Sequence, residues 1–81
     1  MTPAQSRAAR ALLEISQFDL ADAAGLGLSM IVDFERERRR VSQDAIAAIE
    51  AAFKQAGIQF IEENGGGEGL RLRKPRRVIK Q

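Results

Sequence analysis

Eighty-one residues suffice for one small domain, which buries only about 60–65% of its unfolded surface and is marginal on its own. Cysteine, histidine, tyrosine and tryptophan are all absent. That excludes disulfides and thiolate metal sites and removes the commonest general base and the usual zinc ligands, so neither an enzyme nor a cofactor is expected. The net charge of +2 is unevenly spread: residues 1–69 carry 7 Lys/Arg against all 11 acids, and residues 70–81 carry 6 Lys/Arg with no acid.

In chain order, Thr2-Pro3-Ala4-Gln5 reads as a helix start. Thr2 is the cap, Pro3 fits the first helical position, and Gln5 can reach back as in a capping box. This helix runs to about Leu13, with Ala8, Ala11, Leu12 and Ile15 near one side. Ser16 caps a second helix, Gln17 to Ala24, whose inward residues are Leu20, Ala21 and Ala24. Gly25 ends it, because glycine tolerates the left-handed backbone found after a helix C-terminus. Leu26 plugs a short turn, and a third helix runs from Leu28 to Glu35 or Arg36, burying Ile31 and Phe34. A basic connector, Arg36 to Val41, leads to Ser42, the cap of a fourth helix over Gln43 to Gln55 with Ile46, Ile49 and Phe53 inward.

After Gly57 the period changes. Ile58-Gln59-Phe60-Ile61-Glu62 is β-branched and aromatic, and Gly69-Leu70-Arg71-Leu72-Arg73 alternates apolar and basic. With Asn64-Gly65-Gly66-Gly67 between them, they predict a β-hairpin. The glycine run lacks the Lys-Ser/Thr that follows a phosphate-cradling loop, so it reads as a turn. The chain therefore divides into a helical bundle over 1–57, a C-terminal hairpin over 58–74 and a basic, flexible tail over 75–81. The predicted fold is mainly α.

Ser16-Gln17-x-x-Leu20-Ala21-x-x-Ala24-Gly25-Leu26, followed by Ile31-x-x-Phe34-Glu35-Arg36 and Ser42-x-Asp44-x-Ile46-x-x-Ile49, resembles the Cro/cI-like (XRE) helix-turn-helix family over about residues 7–56. The resemblance implies a lambda-repressor-like bundle of four to five helices, binding to double-stranded DNA, and a twofold dimer on a palindromic operator. It implies that Gln17 bonds a backbone phosphate, that Leu28, Ser29, Val32 and Asp33 form the outward face of the recognition helix, and that Arg36, Arg38, Arg39 and Arg40 clamp phosphates beyond it. Arg10 and Glu35 match the family's ion pair between the first helix and the end of the recognition helix.

The sequence departs from that pattern in several places. Gly27 stands where the family commonly has a capping Ser or Thr, and Glu37 replaces a frequent glycine. The reading face carries no Arg, Gln or Asn, so phosphate contacts and DNA shape are expected to supply much of the affinity. Asp33 has three open roles: accepting from cytosine N4, repelling phosphate, or restraining a nearby arginine. Phe18 occupies a usually polar position and either folds onto a neighbouring helix or belongs to a partner-binding patch.

A lone two-stranded ribbon is barely stable in water. Ile58, Phe60, Leu70 and Leu72 therefore either pack onto the bundle or pair with a second subunit, and a homodimer built partly by this hairpin is expected. No apolar run approaches the ~18–20 residues of a membrane span and no secretory leader is evident, so the expected location is cytoplasmic. The expected function is transcriptional regulation by sequence-specific DNA binding. The rival is a helix-turn-helix protein-interaction module, such as an antiactivator or antitoxin, with a regulatory protein as its partner.

Overall fold

Each helix is set by its ends. In the computed structural model, which describes residues 1–62 and 65–72, α1 spans Pro3–Leu13, α2 Gln17–Ala24, α3 Leu28–Glu35 and α4 Gln43–Gln55. Thr2 Oγ1 accepts from the Gln5 amide at 3.1 Å, and Gln5 Oε1 accepts from the Thr2 amide at 2.9 Å. Ser16 and Asp19 repeat this reciprocal box on α2 at 3.0 and 3.1 Å, and Ser42 caps α4 through the Ala45 amide at 3.1 Å. Only α3 begins without a side-chain cap, at Gly27.

Three helix ends share one solution. A residue in the left-handed region lets two amides turn back onto the last carbonyls. Ile15 N donates to Arg10 O and Glu14 N to Ala11 O; Leu26 N donates to Ala21 O and Gly25 N to Asp22 O; Arg38 N donates to Asp33 O and Glu37 N to Phe34 O. The left-handed residues are Glu14, Gly25 and Glu37, with φ of 59, 71 and 55°. Glycine adopts this conformation freely, whereas each glutamate costs about 1–2 kcal/mol.

Strands β1 (Ile58–Ile61) and β2 (Gly69–Leu72) pair antiparallel, with Ile58 opposite Leu72 and Phe60 opposite Leu70. The architecture is thus the mainly helical bundle with a C-terminal hairpin that the sequence predicts, built from four helices. The expectations for a flexible tail over 75–81, and for Asn64 in the turn, fall outside the described residues.

The core forms where α2, α3 and α4 meet: Leu20, Ile31, Phe34, Ile49 and Phe53 are buried, with Val41 and Ala45 beside them. The hairpin closes this core in cis. Ile58 is 1% exposed, Phe60, Leu70 and Leu72 pack against the cluster, and the Phe53 and Phe60 rings meet edge to face at 6.1 Å. Gln5 fastens it from the other side, its Nε2 donating to Gly69 O at 2.8 Å while its Oε1 serves the α1 cap.

Helix α1 turns a different face inward from the one its apolar spacing suggests. Its buried residues are Gln5, Ser6 and Ala9, with Leu13 and Ile15 half-buried, whereas Ala8 and Ala11 are exposed and Leu12 is 44% exposed. The reason is polar demand. This helix packs against a buried carboxylate and a strand carbonyl, and buried polar groups require donors rather than methyl groups.

Candidate nucleic-acid interface

Helices α2 and α3 meet through Gly25, Leu26 and Gly27. Ala21 is buried and Ala24 half-buried at the junction, so small side chains let the two helices approach. Ile31, Phe34 and Glu35 anchor α3 in the interior. At 100° per residue, these three leave the opposite side outward. Leu28 and Ser29 are exposed, Val32 and Asp33 half-buried, and Arg36 exposed at the helix end. The protein's own interior therefore does not seal the outer face of this helix, and a major groove about 12 Å wide admits such a helix. Arg38, Arg39 and Arg40 follow directly, all exposed.

Behind α3 lies the most connected polar group of the described residues, the Glu35 carboxylate, 1% exposed. Arg10 grips it side-on, with Nε at 3.0 and 3.1 Å from its two oxygens and Nη2 at 2.8 Å from Oε1. Ser6 Oγ donates to Oε2 at 2.5 Å and Gln17 Nε2 to Oε1 at 3.1 Å, while Arg7 donates to the Glu35 carbonyl. Burial alone pushes the carboxyl pKa up; the hydrogen bonds from Arg10, Ser6 and Gln17, with the Arg10 charge, outweigh that and hold it below its ordinary value. One carboxylate thus ties α1, α2 and α3 together and fixes how α3 is presented.

Beside the Arg10–Glu35 pair, the residues expected to contact DNA or a second subunit divide into three groups. Leu28, Ser29, Val32, Asp33 and Arg36 share the outer side of α3, and Arg38–Arg40 adjoin its end. Gln17 lies at the start of α2, where one amide hydrogen is already committed to Glu35. Ile58, Phe60, Leu70 and Leu72 lie on the hairpin. Asp33 is joined to Arg39 by an ion pair of 2.6 Å. Phe18 stands 65% exposed at the start of α2 and does not fold onto a neighbouring helix. Ser6 and Arg7 escaped the sequence reading. Ser6 could have been found from its place one turn before Arg10, on the same side of the helix as the guanidinium that needs a buried acceptor.

No helix among the described residues is long and apolar enough to cross a membrane. No curated protein matches the chain. A family model described as helix-turn-helix matches residues 7–60, more than half of the sequence, and it covers α2, the turn and α3 entirely. The chain belongs to the Cro/cI-like (XRE) family of helix-turn-helix DNA-binding regulators.

Proposed function

We propose that the chain is a sequence-specific transcriptional regulator that binds a palindromic operator as a homodimer, laying α3 in the major groove. Leu28, Ser29, Val32 and Asp33 face the base edges. Gln17 reaches phosphate with its remaining amide hydrogen, and Arg36, Arg38, Arg39 and Arg40 hold the backbone. The observation that carries this reading is the solvent-facing side of α3 running directly into four exposed arginines. Thymine methyls suit Leu28 and Val32, and the serine hydroxyl suits several base edges.

Mobility shift across a salt series tests it. Each phosphate contact contributes about 0.9 to the slope of log K against log salt. The side chains of Arg38 and Arg40 make no hydrogen bond or ion pair among the described residues, so Arg38→Ala with Arg40→Ala should flatten the slope by about 1.8 and weaken binding to all sequences alike. A wild-type protein that fails to shift any duplex at low salt refutes the proposal.

The dimer is supported by an apolar groove of about 680 Å³ between α1 and β2, lined by Ala8, Ala11, Leu12 and Leu70 among others. Ile58 is consumed in the chain's own core, which leaves the partly exposed Leu70 and exposed Leu12 and Ile61 for a partner. Sedimentation equilibrium of wild type and Leu12→Asp checks this: equal association of the two removes α1 from the interface. In a dimer, half-sites repeat about 34–36 Å apart.

A second reading, an interaction module with weak DNA binding, is favoured by exposed Phe18 alone. It takes precedence if DNA binding is absent and Phe18→Ser abolishes capture of a protein partner.

A further inference from the structure

We propose that Asp33 and Arg39 form one base-reading unit, in which Arg39 holds the Asp33 carboxylate as an acceptor for the N4 amino group of a cytosine. This rests on the DNA-binding reading above and names the base that the interface selects. Arg39 Nε lies 2.6 Å from Asp33 Oδ2, with the carboxylate side chain 18% exposed and the guanidinium side chain 56% exposed. Oδ1 has no hydrogen-bond partner among the described residues, and neither do the two Nη nitrogens of Arg39.

Three consequences follow from that geometry. An uncompensated carboxylate would be repelled by the phosphates that border the groove, and the guanidinium cancels its charge. A short charge-assisted bond also fixes the carboxylate, which leaves Oδ1 as a preset acceptor on the outer side of α3. The bond to Asp33 engages only Nε, so both Nη nitrogens can reach a phosphate in the same pose. Reading and clamping therefore do not compete for Arg39.

The acceptor chooses among the bases. Guanine and thymine present acceptor oxygens in the major groove and are rejected. Adenine offers its N6 amino group beside the N7 lone pair, which faces the carboxylate unfavourably. Cytosine offers N4 beside its own C5–H, and the nearest acceptor, O6 of the paired guanine, lies on the far side of the amino group. Asp33 is the sole acid on the outer side of α3, since Glu35 is buried.

Selection of binding sites from a random duplex pool, followed by affinity measurements at fixed low salt, tests the unit. Wild type should select cytosine at one position of each half-site, by about 5- to 100-fold over guanine or thymine. Asp33→Ala should lose that preference and no other. The near-isosteric Asp33→Asn should move it to adenine, whose N6 and N7 together match an amide. Arg39→Ala should weaken binding to every sequence and also shrink the cytosine preference, which loss of a phosphate contact alone would not do. A cytosine preference that survives in Asp33→Ala or Asp33→Asn, or is undiminished in Arg39→Ala, overturns the proposal and leaves DNA binding standing. A wild-type protein that selects no duplex removes the DNA-binding reading, and the unit with it.

Discussion

Replacing Arg10 by methionine keeps much of the side chain's packing volume and removes three hydrogen bonds to Glu35. The carboxylate stays at 1% exposure with only Ser6 and Gln17 to satisfy it. Stranding one partner of a buried ion pair costs about 3–5 kcal/mol. Against that, a domain of this length has a total stability of roughly 4–12 kcal/mol. Arg10→Met should therefore lower the thermal midpoint by on the order of 20 °C.

Urea unfolding across pH separates the charge effect from packing. In wild type, Glu35 has a folded-state pKa below its unfolded value, so its contribution is full above the unfolded pKa and fades as pH falls through the folded one. In Arg10→Met, burial is no longer offset and the sign reverses: the variant gains relative stability as acid neutralises Glu35. The gap between the two proteins should narrow as pH falls from 7 towards 5. Adding Glu35→Gln to Arg10→Met should recover about 1–3 kcal/mol at neutral pH. A gap independent of pH, with no recovery in the double variant, would refute the assignment of Glu35 as a buried, paired charge.

Glu37→Gly relieves a left-handed glutamate at φ 55° and should stabilise the domain by about 1 kcal/mol after the added unfolded-chain entropy is subtracted. It also removes an acid beside the arginines, so mobility shift should show tighter DNA binding. Gly27→Ser gives α3 the cap it lacks, at a φ of −74° and with open space around the new Cβ. Chemical unfolding should show a gain of roughly 0.5–1 kcal/mol. Gln5→Ala strips an α1 cap and leaves Gly69 O without its donor. Its cost of about 1–3 kcal/mol should appear with faster hydrogen exchange at Leu70 and Leu72.

The elements were legible because their signals are local. Thr2, Ser16 and Ser42 are caps within three residues of the amides they serve, Gly25 marks its own turn, and the change from helical to alternating apolar spacing at Ile58 marks the hairpin. The inward face of α1 was not legible. Ala8, Ala11 and Leu12 form an apolar stripe, yet the helix turns Gln5 and Ser6 inward because Gly69 O and Glu35 need donors. Those needs arise 29 and 64 residues away along the chain. The outer side of α3 was legible through the resemblance to the helix-turn-helix family, whereas the ion pair that Asp33 makes needed the position of Arg39, six residues on and beyond a left-handed turn.

That turn exposes a tension within α3. An eight-residue helix is too short to persist alone, and this one has no side-chain cap at its start and a strained glutamate after its end. Its local terms oppose it, so its formation rests on tertiary contacts: Ile31 and Phe34 in the core and Glu35 in the grip of Arg10, Ser6 and Gln17. The apolar anchors secure the helix against the bundle, but it is the directional bonds to Glu35 that fix its rotation about its own axis. Loosening the carboxylate should therefore affect α3 before the rest of the protein. In Arg10→Met, hydrogen exchange should accelerate first at the α3 amides, while those of α4 around Ile49 and Phe53 keep the protection of the global core. Uniform acceleration across both helices would instead mean that the Glu35 cluster stabilises the domain as a whole without specifically orienting the helix that faces DNA.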